Sequence, residues 1–428
     1  MADFTRRDLL RTAGAAAAAL SLAHAVPARA ADRAIRLFWW GNPDRDKRTF
    51  EVIRSFQESH PGIQVSGETI GWSDYWTKMA TQTAGRNMPD LVQMDYRYLF
   101  EYVRRGALKP LDDHIGKSLM IGTFDKAAVD GGRVDGKLYA LNIGSNSQVM
   151  VYNAKAFEAA GVKPDIYAWT YDDYARVCEA VTAKSGGRMK GSDDLSLNID
   201  MLEAWIRQNG REFYDADGKV AATVEDAATF WQYWAGLRKA GVVRDKNKTV
   251  LVSPPLSETG IVTGEAAIGQ HWSNQLVGIQ ALMKDPIGAA MVPFMQNGKP
   301  GQFIKPSQFL SLSRDAKDVE AAMLLLNGWV TDPKLTAILG MERGIPCSPQ
   351  VRAALKPSLK PVEALSIDFF QAIQDKVAPL PPPPPKGAGE VREAFTRIGT
   401  EVVLDRTSPR QAADMFIDEA GSILERAL

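Results

Sequence analysis

A nearly continuous apolar run over residues 35–40 constrains the fold of this chain more than any other feature. It has the length of one strand, and Gly41-Asn42-Pro43 ends it abruptly, as is typical of a strand buried on both faces of a parallel sheet. Successive side chains of a strand point to opposite faces, so at most one of Trp39 and Trp40 lies in the core. Open α/β sheets bind ligands at the carboxyl ends of their strands. The run therefore predicts a binding site with Asn42 and with Trp39 or Trp40, of which Trp40 lies nearer the strand end.

Strand and helix patterns alternate after this run. Apolar residues recur at helical spacing over residues 49–60, and residues 63–68 alternate as a strand, which completes a βαβ unit. Residues 91–94 predict a third strand. The strand ends and helix starts of such a sheet lie along one edge, and this adds Trp72, Asp95 and Tyr96 to the candidate ligand-binding residues. Asp95 and Asn42 suit pairs of ligand hydroxyls, with a turn or helix cap as the alternative role.

The first thirty residues have the composition of an export signal. Arg6-Arg7 precedes an apolar, alanine-rich run over residues 13–22, which is too short to span a bilayer, and Ala28-x-Ala30 forms a small-residue cleavage site. The paired arginines predict a twin-arginine signal that is cleaved near Ala30, and hence a periplasmic protein. The alternative is an ordinary amphipathic N-terminal helix.

Length and charge narrow the class of protein. The remaining residues, about 400, exceed what one hydrophobic core normally serves, so we expect two domains. The whole chain has 51 basic and 51 acidic residues, and removal of residues 1–30 leaves a net charge of about −2. A nucleic-acid-binding protein would carry a basic excess, so no nucleic acid is expected as a partner.

No constellation typical of an enzyme or a metal site is present. The four histidines are His24, His60, His114 and His271, and no H-E-x-x-H, G-x-S-x-G or Cys/His cluster occurs. The sequence therefore predicts no catalytic residues, no metal and no cofactor. The only cysteines are Cys178 and Cys347; a disulfide between them stays open, although Cys178 occupies a helical position typical of a buried thiol.

Several separate stretches together carry a family resemblance. They are FWWGNPDRDKRTFEVIRSFQESHPGIQV, QTAGRNMPDLVQMD, RRGALKPLDDHI, DGKLYALNIGSNSQVMVYNAKAFEAAGV, GEAAIGQHWSNQL and GWVTDPKLTAILGMERGIPCSP. In this order they resemble the extracellular solute-binding proteins of bacterial ABC transporters, in particular the carbohydrate-binding group related to maltose-binding protein. The resemblance spans nearly the whole chain after the signal.

The resemblance implies an α/β fold of two lobes, the periplasmic-binding-protein fold of class II type, in which hinge strands cross between the lobes. Residues 31–140 and 287–331 would form the N-terminal lobe, and residues 141–286 and 332–428 the C-terminal lobe. Residues 138–141 would cross to the second lobe, and residues 287–294 would be a return strand to the first.

The function implied by the resemblance is capture of a sugar or oligosaccharide between the lobes by a monomer, followed by delivery to the membrane permease of an ABC transporter. Two alternatives stay open. One is a secreted carbohydrate-active enzyme, which would need a convergent pair of carboxylates. The other is a binding protein for a non-sugar solute such as a polyamine or a peptide.

Three further site residues come from the second half of the chain. Trp272 would stand where the resembled sugar binders place a stacking aromatic residue, and Asn146 follows the strand between the lobes. Arg343 lies in a loop, where it would suit a carboxylate or sulfonate on the sugar or, alternatively, form an ion pair.

Two further patterns predict structure rather than binding. Phe230, Trp231, Trp234 and Leu237 share one helical stripe, which indicates core packing. The proline run over residues 381–385 predicts a stiff connector to the last two helices, at residues 390–404 and 409–427.

Overall fold

The computed structural model describes residues 33–41, 43–251 and 254–427. The predicted export signal, its cleavage site near Ala30 and the candidate ligand residue Asn42 lie outside the described residues. Within the described ranges, no helix combines the length and the apolar character that crossing a membrane requires.

The described chain begins with three strands that alternate with helices. They are β1 (Arg33–Trp40), α1 (Pro43–Ser59), β2 (Ile63–Ile70), α2 (Trp72–Ala84), β3 (Leu91–Met94) and α3 (Tyr96–Arg104). Strand β1 lies between β2 and β3 and runs parallel to both. The predicted βαβ unit and third strand are thus confirmed. The carboxyl ends of β1 and β3 meet the first turns of α2 and α3 at one edge of the sheet.

The two tryptophans of β1 point to opposite faces of the sheet, as the alternation predicts. Trp39 packs edge-on against Phe50 of α1, and its Nε1 donates a 2.8 Å hydrogen bond to Asp46. Trp40 packs on the other face, against Tyr75 of α2. Only the Trp40 face leads to the edge where α2 and α3 begin.

The middle of the chain contains a short hairpin, one long strand, a group of helices and three further strands. In order they are α4 (Lys126–Asp130), β4 (Arg133–Val134), β5 (Lys137–Leu138), β6 (Leu141–Asn153), α5 (Ala154–Ala160), α6 (Tyr171–Lys184), α7 (Ile199–Gln208), α8 (Val224–Lys239), α9 (Lys246–Thr249), α10 (Gly260–Thr263), β7 (Ile268–Trp272), α11 (Leu276–Leu282), β8 (Ile287–Ala290) and β9 (Ile304–Leu312). The aromatic stripe of α8 is buried, which confirms its predicted core role.

Strand β6 is shared by the two halves of the molecule. Its 13 residues pair with β9 over the first half, and with β7 and β8 over the second half, antiparallel in each case. Strand β9 also pairs with β3, on its other edge. Strands β6 and β9 therefore join the strands on the two sides of the molecule into one sheet. A bulge interrupts β6 around Gly144, where an added Cβ would overlap the carbonyl oxygen of Arg343.

The predicted return strand over residues 287–294 is wrong. Residues 287–290 form β8, which pairs with residues 150–153 at the second half of β6 instead of returning to the first lobe. Its apolar side chains Ile287 and Ala289 pack with Val149 and Val151 of β6. The strand that returns is β9, because it pairs with both β6 and β3.

Six helices complete the chain. They are α12 (Val319–Thr331), α13 (Pro333–Leu339), α14 (Pro349–Leu355), α15 (Pro361–Ala372), α16 (Ala388–Val403) and α17 (Pro409–Ala427). The two helices predicted at the end of the chain are thus confirmed as α16 and α17. Residues 379–385 between α15 and α16 form neither helix nor strand, as the proline run predicts; we call them the proline connector.

Apolar side chains gather into separate cores on the two sides of the crossing strands, which gives an α/β molecule of two lobes. One side is built on β1, α1, β3 and α12, and the other on α7, α8, α16 and α17. Leu335 and Leu339 of α13 belong to the first core and β8 to the second side. We therefore propose lobe boundaries that differ from the predicted ones, with residues 287–303 in the second lobe and 332–340 in the first.

Both cysteines are free thiols and fully buried. Cys178 lies in the core of the second lobe on α6, at the packing position predicted for it. Cys347 donates to the carbonyl oxygen of Asn142 at 3.4 Å, next to the bulge in β6. Burial raises the pKa of the Cys347 thiol to about 12, which keeps it in the unreactive protonated form.

Candidate functional site

Four aromatic side chains form a continuous group where β1 ends and α2 and α3 begin. They are Trp40, Trp72, Trp76 and Tyr98, and we call them the aromatic shelf. Trp72 contacts Trp40 edge-on with 5.0 Å between the ring centroids, and Trp76 stacks on Tyr98 at 3.8 Å. Trp40 is 7% exposed, whereas Trp72 is 39% exposed. The shelf thus presents Trp72 to the cleft on a rigid aromatic base, an arrangement suited to the apolar face of a ligand.

Trp39 does not join the shelf. It is 1% exposed and lies on the α1 side of the sheet, where its indole N–H is satisfied by Asp46. The prediction that at most one of the two tryptophans lies in the core is wrong, because Trp40 is also buried, in a cluster with Phe38 and Tyr75. Trp40 remains the candidate ligand residue because it contacts Trp72, and we assign Trp39 to the core on the α1 side of the sheet.

Asp95 and Tyr96 lie beside the shelf at the start of α3. The Asp95 side chain caps α3 by accepting a 2.9 Å hydrogen bond from the backbone N–H of Arg97. Burial raises the pKa of this carboxyl group, and the hydrogen bond from Arg97 opposes the rise. Oδ1 of Asp95 thus has the helix-capping role that the sequence analysis gave as the alternative to ligand binding. Oδ2 has no hydrogen-bond donor among the described residues.

Tyr96 reaches the other lobe through the proline connector. Its hydroxyl donates a 2.9 Å hydrogen bond to the carbonyl oxygen of Pro381. On the far side of the connector, Arg207 of α7 donates to the carbonyl oxygen of Pro379. The connector therefore lies between the two lobes and contacts both of them.

Trp272 is the last residue of β7. Its Nε1 donates a 3.3 Å hydrogen bond to Asp200 in the first turn of α7. Lys305 of β9 places its Nζ 3.6 Å from the centroid of the Trp272 ring. The ring face that we expected to stack on a sugar is thus covered by an ammonium group, a favourable cation–π arrangement.

Charged side chains surround this pair. Arg392 of α16 lies 3.4 Å from Asp200, in an ion pair. Glu203 follows Asp200 by one helical turn, and its pKa is raised to about 7 by burial first and then by the negative charge of Asp200. Its carboxyl group therefore changes charge near neutral pH.

Lys305 of β9 is a cation whose pKa is lowered by its surroundings. Burial lowers the pKa of its ammonium group, while the negative charges of Asp200 and Asp95 oppose that change. Its Nζ has no hydrogen-bond acceptor within the part of the chain that the structure describes. Asp200 belongs to the second lobe and Asp95 to the first, so Lys305 interacts electrostatically with acidic groups of both lobes.

Asn146 and Arg343 are both buried, each with 5% of its surface exposed. Asn146 lies on β6 opposite Lys305 and accepts a 3.5 Å hydrogen bond from Ser273. Arg343 is 5% exposed and donates to Thr49 at 2.8 Å and to Gln93 at 3.3 Å.

Arg343 has further partners that account for its charge. Its guanidinium lies 3.3 Å from Glu342 and 5.3 Å from the ring centroid of Trp329. Burial lowers the pKa of Arg343 to about 9. This environment matches the ion-pair alternative, so we leave Arg343 out of the proposed site.

Sequence reasoning missed Lys305, Asp200 and Glu203. Asp200 and Glu203 lie on a helix whose exposed face looks ordinary, and more than a hundred residues separate them from Lys305. One signal was available: Lys305 is the only charged residue of β9. In the described ranges, no cluster of His, Cys, Asp or Glu side chains is suited to a metal ion.

A family described as bacterial extracellular solute-binding protein matches residues 51–363 of this chain. Among solved structures, a family 1 extracellular solute-binding protein from Alicyclobacillus acidocaldarius is 29% identical, with a TM-score of 0.85 over 92% of this chain and 98% of that one. An oligogalacturonide-binding protein from Yersinia enterocolitica is 21% identical, with a TM-score of 0.75 over 92% and 99% of the two chains.

The curated relatives differ in how much of this chain they match. A putative binding protein of Brucella abortus is 32% identical, but the match spans only 28% of this chain and 29% of that protein. A probable amino-acid ABC transporter periplasmic-binding protein of Sinorhizobium fredii is 24% identical over 88% of this chain and 86% of its own length.

Proposed function

Because this chain belongs to the bacterial extracellular solute-binding proteins, we propose that it captures a sugar or oligosaccharide between its lobes for an ABC importer. The observation that carries the proposal is the aromatic shelf, which presents the half-exposed Trp72 beside the polar groups of Asp95 and Tyr96. Trp40, Asn146 and Trp272 complete the proposed site, together with Asp200 and Lys305.

The shelf suits the apolar CH face of a pyranose ring. A sugar that covers Trp72 would bury roughly 60 Å² of apolar surface, worth about 1.5 kcal/mol. The edge-on and stacked rings behind Trp72 hold it in place, so little side-chain entropy is lost when the ligand binds.

The polar groups suit hydroxyls because they include both donors and acceptors. Asp95 and Asp200 accept hydrogen bonds, and Lys305 donates them. A ring with several hydroxyls would thus find partners on both lobes. Hinge closure about β6 and β9 would enclose it.

Two comparisons bear on the solute. The neighbour from Yersinia enterocolitica binds an oligogalacturonide, an acidic sugar, which favours a sugar as the solute but leaves its charge open. The relative from Sinorhizobium fredii is described as an amino-acid transport protein, so an amino acid is the second candidate. We propose that either solute is released unchanged, since the fold serves binding in this family.

We also propose the cellular setting that the first thirty residues predict. The chain would be exported with a twin-arginine signal, act in the periplasm as a monomer, and deliver its solute to the permease subunits of an ABC transporter.

The test is a thermal-shift screen of residues 31–428, followed by calorimetric titration. The ligands are neutral and acidic mono- and oligosaccharides, the twenty amino acids, spermidine and short peptides. A saturable rise in melting temperature with a sugar supports the proposal, because a ligand of the native state stabilises it by mass action. A rise with amino acids alone supports the second candidate, and conversion of a sugar during the incubation would contradict both.

A further inference from the structure

We propose that this cleft selects uncharged sugars against sugars that carry a carboxylate, because Lys305 lies between acidic groups of the two lobes. The inference rests on the proposed sugar-binding function and specifies its substrate class. Lys305 is the specificity-determining residue, and the negative charges of Asp95 and Asp200 make the site prefer a neutral ligand group over a carboxylate.

The position of Lys305 is fixed by the fold. It stands opposite Asn146 in the pairing of β6 with β9, the two strands that cross between the lobes. Its ammonium group rests on Trp272 at 3.6 Å from the ring centroid, and Trp272 is itself held by Asp200. The ammonium group is therefore held in place by the Trp272 ring.

The N–H donors of this ammonium group have no protein acceptor among the described residues. A half-buried ammonium without an acceptor is costly, so a ligand that supplies an oxygen gains a charge-assisted hydrogen bond. This much would suit a hydroxyl and a carboxylate equally well.

The charged residues around Lys305 determine whether a hydroxyl or a carboxylate binds there more favourably. Asp95, Asp200 and Glu203 are the acidic groups that act on Lys305, and Arg392 is the other cation. Arg392 is paired with Asp200. The cluster already contains enough negative charge to balance both cations.

A hydroxyl fits this cluster because it accepts from Lys305 and donates its own hydrogen to Asp95 or Asp200. A carboxylate offers no hydrogen to either acid, and its negative charge is repelled by both of them. The arrangement therefore favours a neutral hydroxyl over an acidic substituent at the same position.

The test compares each neutral sugar with its own oxidised form. Cellobiose, maltose and α-1,4-galactobiose are titrated calorimetrically into residues 31–428, each beside its C6-oxidised uronate, which keeps the ring and the linkage. We expect a neutral sugar to bind at least about tenfold more tightly than its uronate. Tighter binding of a uronate would overturn this inference and leave the proposed function intact. Absence of binding for all six compounds, together with no saturable shift for any sugar in the thermal-shift screen, would overturn both.

Two variants assign the effect to the named residues. Lys305→Met should weaken binding of the neutral sugar about 10- to 100-fold, since charge-assisted hydrogen bonds are lost. Asp200→Asn should narrow the preference for the neutral sugar over its uronate by about tenfold. The matched control is Lys299→Met, on an exposed loop, which should change neither affinity. An unchanged preference in a folded Asp200→Asn protein would contradict the role of Asp200.

Discussion

The hydroxyl of Tyr96 donates a 2.9 Å hydrogen bond to the carbonyl oxygen of Pro381, joining the first lobe to the proline connector. Burial raises the pKa of Tyr96, so the phenol keeps its proton and remains a donor at all physiological pH values. This bond ties the connector to the first lobe.

Loss of that bond should loosen the connector. Tyr96→Phe removes one hydrogen bond, and we expect the free energy of unfolding in urea to fall by about 1 kcal/mol. Trypsin should cut faster after Lys386, which is exposed at the end of the connector. Tyr98→Phe is the control, because the Tyr98 ring stacks on Trp76 and its hydroxyl has no partner among the described residues. Equal cleavage rates in the two variants would contradict the anchoring role.

We expect substitution of Trp72 to affect mainly the affinity for sugar, and substitution of Trp39 to affect mainly the free energy of unfolding. Trp72→Ala removes a half-exposed ring, so we expect about tenfold weaker sugar binding and a loss of stability of about 1 kcal/mol. Trp39→Ala leaves a cavity in the core and a polar partner without its donor, and should cost about 3–5 kcal/mol. Calorimetric titration and urea unfolding of both variants provide the measurement. Normal affinity in Trp72→Ala would remove the shelf from the site.

Arg343 should matter for stability and not for ligand affinity. Arg343→Met leaves Thr49 and Gln93 without their buried partner, and we expect a loss of about 3 kcal/mol in the free energy of unfolding. The affinity for a neutral sugar should stay within about twofold of the original value. A large loss of affinity in a variant of normal stability would return Arg343 to the binding site.

Glu203 should make stability fall as the pH rises through the weakly acid range. Its folded pKa of about 7 lies above the ordinary value of 4.5, so the unfolded chain loses the proton first. Between these values the folded state binds more protons, and stability decreases with pH until it levels off above about pH 7. The shift corresponds to about 3 kcal/mol at most.

The variant Glu203→Gln should remove that slope. Urea unfolding of both proteins from pH 4.5 to 8 gives the difference, in which contributions from other groups cancel. We expect Glu203→Gln to gain stability relative to the original protein as the pH rises, by about 1–3 kcal/mol at pH 8. A constant difference across this range would mean that Glu203 titrates near its ordinary pKa.

The sequence predicts those features of the fold and the site that depend on local pattern. Alternation along β1 was enough to separate Trp39 from Trp40, and the helical stripe of α8 was enough to place Trp231 in the core. Local pattern failed for β8, because a short apolar strand carries no sign of which neighbour it pairs with. It failed for Lys305 because residues 200, 272, 305 and 392 meet only when the two lobes have folded around the crossing strands.

The sharing of β6 between the two lobes also limits how this chain can be recombined. Each lobe is built from separate stretches of sequence, and the boundary between them runs through the middle of a hydrogen-bonded strand. A single crossover with a related gene would therefore join half of one pairing surface to half of another. Exchange of a complete lobe needs three junctions, one in β6, one before β9 and one after α13. We therefore expect related chains to diverge along their whole length and not by exchange of lobes.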